Sequence, residues 1–367
     1  MRPPSKLIPI STKDKDTDTG DPPRTPPPPT ATAAPMSSTL VPPAVFFAVL
    51  GNRSLVRRLT DTMSGVSFSL ATYFVAHKLE RPNLSLKDNS LIGFAASHGH
   101  LHMVQAVVHH FNRQGRCMEY AIFCATVMGQ LHILEWLFSN YETPPPTISM
   151  YALNGAAKHG HLPVLQFLHA RGCGGWTVDC MNSAAAAGHL NIVRFLHEHR
   201  AEGCTTFAMN QAAENGHLAI VEFLDRHRTE GCTPFAMNQA AKNGHLAVVR
   251  YLHEHRREGC TTYAMTSAAF SGHLDIVRFL HFHRSEGCTK EAMDGAALYG
   301  HLDIVQFLHE HRSEGCTEHA INWAASRGSL DIVRYLHANR AEGSANSACA
   351  LAARFGHATI VNWFHAL

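Results

Sequence analysis

The chain has 367 residues, of which 45% are apolar, which is enough for a sizeable core. Its formal net charge of +2 at pH 7 is close to neutral. This balance argues against a strongly basic nucleic-acid binder and against an acidic tail protein, because in both classes one sign of charge dominates.

Residues 1–43 contain twelve of the eighteen prolines, including the run TPPPP at 25–29. Lys, Asp, Thr and Ser separate these prolines, so the segment has too little apolar surface to offset the entropy lost on ordering. We therefore predict a disordered proline-rich tail. Pro23 and Pro26 have the PxxP spacing, which leaves open a ligand for a proline-reading domain.

Residues 44–90 include FFAVLGNRSLVRRL, which has the outline of a degraded repeat at Gly51–Leu59 and is predicted to cap a repeat array. The longest apolar run here, AVFFAVL, is too short to cross a bilayer. The opening MRPPSKLIPI lacks the layout of a secretory signal. We expect an intracellular, cytoplasmic protein whose ten cysteines are thiols.

From about Leu91 onward the sequence repeats. Gly-His-Leu or a close relative begins at ten glycines; the first two steps are 30 and 31 residues, and the other seven are 28. These glycines are Gly99, Gly129, Gly160, Gly188, Gly216, Gly244, Gly272, Gly300, Gly328 and Gly356. Such self-similarity predicts a solenoid, in which each unit buries its apolar side against its neighbours.

The unit at 261–287 predicts two helices. Thr261 is a suitable N-cap for the first helix, TYAMTSAAFS, and Gly272 ends it. The second helix, LDIVRFLHFHR, has one broad apolar side, while Asp275 and Arg278 point away from it. The predicted fold class is therefore all-α: a solenoid of stacked antiparallel helix pairs over residues 91–367.

These residues resemble the ankyrin repeat. AAFSGHLDIVRFL matches the A-A-x-x-G-H-L-x-I-V-x-x-L centre of that family almost position by position, and the pattern recurs ten times over residues 91–367. The unit differs from the family's in being shorter, and HRSEGCT replaces the projecting β-hairpin. The resemblance implies non-catalytic protein binding on the concave side of a right-handed stack.

His273, His281, His283 and Cys288 lie within eighteen residues, a density that raises the question of a metal site. However, His281 and His283 point roughly 200° apart on a helix. Their equivalents lie one repeat away, about 8–10 Å, whereas zinc ligands sit about 2.0–2.3 Å from the ion. We predict no metal site, no cofactor and no disulfide between the repeated cysteines. The resemblance implies that His273 hydrogen-bonds between repeats.

The sequence contains no P-loop, HExxH, CxxC or nucleophile-elbow motif, so we predict no catalytic residues and no enzyme. Pairs such as Arg284 and Glu286 recur in six repeats and are predicted to be solvated ion pairs of little individual worth. A nucleic-acid-binding stripe would have one dominant sign of charge. We therefore expect neither a nucleic-acid nor a membrane partner, and a monomeric chain.

Function in a repeat array is expected at positions that depart from the repeat. Apolar side chains stand in otherwise polar slots at Phe270, Phe282, Leu298, Tyr299 and Trp323, which are the predicted partner-binding residues. Four of them are predicted to form one strip across three units. Phe282 belongs to another face, where sister repeats carry glutamate. The opposing interpretation is that these rings only pack between repeats.

The predicted function is a non-catalytic scaffold or adaptor that presents an extended repeat surface to a protein partner. Two alternatives stay open. One is a histidine-based metal- or pH-responsive binding protein, suggested by the 28 histidines. The other is a substrate-recruiting adaptor subunit of an enzyme complex, acting through residues 1–90.

Overall fold

The computed structural model describes residues 90–111, 115–140 and 147–367. Within these ranges it contains twenty α-helices, and its one β-type contact is an isolated bridge between Thr147 and Gly174. No helix in these ranges combines the length and apolar character needed to cross a lipid bilayer. The tail predicted at 1–43 and the cap predicted at 44–90 fall outside the described residues, apart from Ser90.

The helices form ten pairs, one for each repeat, numbered here from 1 to 10. The first helices are α1 (Ser90–Ser97), α3 (Gly115–Val127), α5 (Met150–Lys158), α7 (Val178–Ala186), α9 (Thr206–Glu214), α11 (Pro234–Lys242), α13 (Thr262–Phe270), α15 (Glu291–Tyr299), α17 (His319–Arg327) and α19 (Ala345–Arg354). The second helices are α2 (Leu101–Phe111), α4 (Leu131–Asn140), α6 (Leu162–Ala170), α8 (Leu190–His199), α10 (Leu218–His227), α12 (Leu246–His255), α14 (Leu274–His283), α16 (Leu302–His311), α18 (Leu330–Asn339) and α20 (Ala358–His365). The predicted all-α repeat of helix pairs is confirmed.

Local signals in the sequence begin and end these helices. The Thr261 hydroxyl accepts a hydrogen bond from the Tyr263 amide at 3.2 Å and caps α13. Gly272 follows α13 with φ +83°, a left-handed conformation that glycine adopts without steric cost. The next amide, that of His273, donates to the Ala268 carbonyl at 3.0 Å and turns the chain toward the second helix.

The core runs continuously from repeat to repeat between the two layers of helices. Ala268 and Ala269 of α13 are fully buried, and their small side chains let α14 approach closely. Ile276, Val277 and Leu280 of α14 are buried against them, and equivalent residues are buried in the neighbouring repeats. The first helices of adjacent repeats contact each other more extensively than the second helices do. Stacking therefore depends mainly on the first helices.

Candidate functional site

The histidine of each Gly-His pair packs on the glycine of the preceding repeat. The His189 Nε2 lies 3.0 Å from the Lys158 carbonyl oxygen of the preceding repeat, which is hydrogen-bond distance. The His273 ring lies over Gly244, where an added Cβ would be 2.7 Å from the ring Cε1. Position 244 therefore requires glycine for two reasons: its φ is positive, at +81°, and the ring occupies the space that a Cβ would take.

Buried polar side chains join each first helix to the N-cap of the next. Asn238 of α11 accepts from the Thr261 amide and donates to the Thr261 hydroxyl, both at 3.0 Å. In a later repeat, Asp294 accepts from the amide and the hydroxyl of Thr317 at 2.8 and 2.7 Å. Asn238 and Asp294 are buried, so losing these bonds would be costly. The bonds hold the first helices in register and therefore fix the surface that they present.

The Arg-Glu pairs are more buried than the sequence suggests, because each pair lies against the preceding repeat. Arg228 binds Glu230 through two hydrogen bonds, and both side chains are 23% exposed. The guanidinium covers Gly203, and the Cys204 amide donates to the Glu230 carboxylate at 3.4 Å. The hydrogen bonds from Arg228 lower the pKa of Glu230 to about 2. These Arg-Glu pairs therefore link adjacent repeats, and the two charges of each pair compensate each other.

The repeated cysteines lie beside these Arg-Glu pairs and form no disulfide. Burial raises the pKa of the Cys204, Cys232, Cys260, Cys288 and Cys316 thiols to about 11. Such thiols stay protonated at neutral pH, and the thiol form is neither a good nucleophile nor a metal ligand. Across residues 90–111, 115–140 and 147–367, no group of three or more His, Cys, Asp or Glu side chains could hold a metal ion.

The histidines of the second helices form a ladder with aromatic rings. The His253 ring meets Phe279 of the next repeat nearly at a right angle, with ring centroids 5.5 Å apart, and meets His283 at 5.7 Å. Phe279 and His283 stack on each other at 4.4 Å. The Nδ1 of His253 is buried without a hydrogen-bond partner in the described residues, and burial lowers the pKa of this histidine. The ladder therefore packs one second helix against the next.

Four of the five predicted contact residues lie on the first helices. The rings of Phe270 in α13 and Tyr299 in α15 have centroids 6.0 Å apart, and Tyr299 is 56% exposed. Leu298 and Trp323 are half-buried, and Trp323 stacks on His319 of the same helix at 4.8 Å. We call Phe270, Leu298, Tyr299 and Trp323 the first-helix patch.

Phe270 combines packing with exposure. Its ring lies over Gly295 of the next repeat, where an added Cβ would be 2.3 Å from the ring Cδ2. Repeats 4 to 7 carry Ser or Gln at the position of Gly295, and the residues at the position of Phe270 in repeats 3 to 6 are smaller or polar. The change to Phe270 is thus accommodated by the change to Gly295, and the half-buried ring still reaches solvent beside Tyr299.

Phe282 lies on a second helix, apart from the first-helix patch. It is 67% exposed, more than any residue of that patch. Its ring meets the edge of His281 at a centroid distance of 4.8 Å and approaches Phe307 of the next repeat at 6.4 Å. A partner that contacts Phe282 would therefore approach the second-helix side of the array.

The sequence did not predict five further exposed rings: Tyr120 and Tyr151 in repeats 2 and 3, and Phe207, Phe235 and Tyr263 in repeats 5 to 7. Phe207, Phe235 and Tyr263 stand at the second residue of α9, α11 and α13 and are 51%, 41% and 44% exposed. We call these three residues the aromatic row. Because they recur in consecutive repeats, they are not departures from the repeat and were not predicted as contact residues. Helical periodicity could have found them, because Phe207 shares a helix face with the polar Gln211 and Glu214, opposite the buried alanines.

Comparison with known proteins gives one family. A model described as "Ankyrin repeats (3 copies)" matches residues 153–230 and 209–294, and one described as "Ankyrin repeats (many copies)" matches residues 293–337. No curated protein matches the chain. Among solved structures, the pentatricopeptide repeat protein PPR10 from maize is 12% identical with a TM-score of 0.32. That alignment covers 85% of this chain and 51% of the maize protein, so the chain spans about half the length of this relative.

Proposed function

Because the chain belongs to the ankyrin-repeat family, we propose that it is a non-catalytic scaffold or adaptor that binds a protein partner. Ankyrin repeats are generally protein–protein interaction modules, and proteins of the family are typically non-catalytic scaffolds. The finer part of the proposal is the place of binding, which we assign to the exposed side of the first helices around the first-helix patch. Phe282 would be a separate contact on the second-helix side.

The observation that supports this place most strongly is the closeness of Phe270 and Tyr299 across a repeat boundary, with ring centroids 6.0 Å apart. Aromatic side chains are enriched at protein interfaces and among the few residues that carry most of the binding energy. Phe270 and Tyr299 lie on helices whose register is fixed by buried bonds such as those of Asn238. A surface held in this way loses little conformational entropy when a partner binds.

The electrostatics favour a protein partner over a nucleic acid. Arginines of the connections, such as Arg228, are paired with glutamates within the chain, so they offer no uncompensated positive stripe. We further propose a cytoplasmic location, in keeping with thiols that stay reduced in the cytosol. A monomer is proposed as the working unit.

No observation on the described residues favours a metal-responsive protein or an enzyme-recruiting adaptor. A metal-responsive protein would need a donor set, and within residues 90–111, 115–140 and 147–367 no set of three is found. Recruitment of an enzyme through residues 1–90 would act through a segment that lies outside the described residues, Ser90 excepted.

The test is to purify the tagged chain from its native cells and to identify bound proteins by mass spectrometry. The variant Phe270→Ala/Tyr299→Ala/Trp323→Ala is compared with Tyr151→Ala, which removes an exposed ring from α5, four repeats before α13. Circular dichroism first confirms that both variants fold. We expect a partner that is retained by the wild type and by Tyr151→Ala and depleted at least tenfold from the triple variant.

Retention of that partner by the folded triple variant would remove the first-helix patch from the proposal. The absence of any co-purifying protein from the wild-type chain would contradict the scaffold function itself.

A further inference from the structure

The aromatic row offers solvent three rings that the described chain leaves 41–51% exposed. Phe207, Phe235 and Tyr263 occupy equivalent positions in three successive repeats, and none of them stacks on another ring within the described residues. Their helix starts are well anchored: the amides of Phe207 and Tyr263 donate to the N-cap hydroxyls of Thr205 and Thr261 at 3.3 and 3.2 Å. These bonds anchor the backbone at the first and third of the three positions.

Side-chain amides lie one helical turn beyond the first two rings. Gln211 and Gln239 are half-buried on the same helix faces as Phe207 and Phe235. Gln211 donates to Glu214 at 2.8 Å, and the Gln239 side chain makes no hydrogen bond within the described residues. In repeat 7, which carries the third ring, Ser267 is buried and donates to the Ala264 carbonyl at 3.3 Å. The Tyr263 hydroxyl is then the exposed donor of that repeat. The row thus combines apolar faces with hydrogen-bond donors.

The spacing of the rings matches one kind of peptide backbone. Packed helices lie about 8–10 Å apart, so equivalent residues of successive first helices are expected at about this interval. A polyproline II helix advances about 3.1 Å per residue with three residues per turn, so the same face returns about every 9.3 Å. A β-strand repeats its face about every 6.6–6.8 Å, which is too short, and an α-helix needs two of its turns of about 5.4 Å to cover the interval, so the polyproline II helix alone presents successive turns to successive rings. A polyproline II backbone also has no internal hydrogen bonds, so its carbonyls can accept from Gln239 and Gln211.

Carboxylates stand at both ends of the aromatic row. The position that carries Phe207, Phe235 and Tyr263 in repeats 5 to 7 carries Asp179 in repeat 4 and Glu291 in repeat 8. Both acidic residues are exposed. The sequence of these five positions is therefore acidic, aromatic, aromatic, aromatic, acidic. Its charge complement is a segment with an apolar centre and a basic residue at each end.

We infer that the aromatic row binds a proline-rich segment of a partner protein in the polyproline II conformation. The segment places an apolar residue at every third position against Phe207, Phe235 and Tyr263 and a basic residue against each of Asp179 and Glu291. Proline rings on aromatic faces are the usual chemistry of this recognition mode. The inference rests on the proposed function, because it assigns a kind of partner to the first-helix side of the array.

The probe is a fluorescein-labelled peptide of thirteen residues with lysine at each end, leucine at every third position between them and proline elsewhere. Binding to the full chain is measured by fluorescence anisotropy. The variants are Phe207→Ser/Phe235→Ser/Tyr263→Ser and, as a matched control, Phe355→Ala, which removes an exposed ring from repeat 10. We expect saturable binding to the wild type and to the control, and binding at least tenfold weaker to the triple variant.

A second peptide of the same composition has its leucines at alternate positions, which is the spacing of a strand. We expect it to bind at least tenfold more weakly than the first peptide. The variant Asp179→Lys/Glu291→Lys keeps the rings and reverses both end charges, so its affinity for the lysine-ended peptide should fall, and added salt should no longer weaken binding. This variant keeps the inference testable if the serine variant does not fold.

Absence of binding, equal affinity for the two peptides, or unchanged affinity of both variants would overturn the inference. These outcomes leave the proposed function untouched, because that proposal is tested by the loss of a cellular partner on changing the first-helix patch. Conversely, peptide binding by a chain that captures no partner through that patch would support the aromatic row alone.

Discussion

The glycine that follows each first helix is constrained by its own backbone and by the repeat that comes next. Gly244 has φ +81°, and the His273 ring occupies the space where its Cβ would be. Gly300 has a similar φ of +87°, but the next repeat carries Ser329, whose Oγ would be 3.8 Å from an added Cβ. Comparing substitutions at the two glycines therefore separates the cost of backbone strain from the cost of displacing the histidine ring.

We predict that Gly300→Ala lowers the free energy of unfolding by about 1–2 kcal/mol, the cost of a left-handed conformation for a residue with a Cβ. Gly244→Ala should cost more, because its Cβ must also displace the His273 ring. Urea denaturation followed by circular dichroism measures both losses. Equal losses would show that the ring does not constrain the glycine.

At the residue scale, the sequence predicted features that depend on local chemistry. The N-cap Thr261 and the helix stop Gly272 are set by neighbouring residues in the chain, and both are found as predicted. The burial of Arg228 and Glu230 was not predicted, because it depends on Gly203 and Cys204 of the preceding repeat. Sequence spacing alone does not say which loop lies over which.

The first helices are tied to each other by hydrogen bonds whose residue types change while their geometry is kept. Asn238 bonds to Thr261, and at the equivalent position Asp294 bonds to Thr317. In both, a side-chain oxygen accepts from the threonine amide, so the acceptor is the shared requirement. These bonds connect elements that are separated by 23 residues in sequence, and they set the register of the exposed face.

Asn238→Ala removes both bonds to Thr261, and we predict a loss of about 1–3 kcal/mol in the free energy of unfolding. Asn238→Asp is the matched comparison, because an aspartate at this position accepts both bonds in repeat 8. It should be clearly more stable than the alanine variant. A loss for Asn238→Ala within the error of the urea midpoint would mean that these bonds do not hold the helices together.

The paired elements were readily predicted, but the exposed face was predicted only in part. The period of 28 residues and the alternation of small and large apolar residues define two helices per repeat. The first-helix patch followed from departures such as Tyr299. Phe207 was not predicted as an exposed contact residue, because an aromatic residue recurs at its position in the next repeats. Its exposure depends on how α9 is rotated against the core.

Three histidines, in repeats 3, 6 and 7, are held in environments that favour the neutral ring. The pKa values of His161, His253 and His281 are lowered, with burial as the first cause in each. Nearby positive charge adds to this effect, from Arg284 and His283 at His253. The folded chain therefore binds fewer protons than the unfolded chain in the range where these histidines titrate.

It follows that stability is full above the unfolded histidine pKa of 6.5 and falls as the pH drops through that value. A further loss should follow as the pH falls from 4.5 toward about 2, since Glu230 and Glu314 have folded pKa values of about 2. We predict a falling urea midpoint from pH 8 to pH 5. His253→Phe/His281→Phe, which keeps ring packing without titration, should flatten that slope. A midpoint that rises on acidification would contradict this assignment.

The central claim concerns the whole molecule: a protein partner binds the exposed side of the first helices. It is tested most directly by photo-cross-linking with p-benzoylphenylalanine in place of Tyr299 on α15 or, for comparison, in place of the exposed Glu254 on α12. The account predicts a cross-link to the captured partner from position 299, whether or not position 254, on the same side as the separate contact at Phe282, also cross-links. A cross-link from position 254 alone would place the partner on the second helices and contradict the claim.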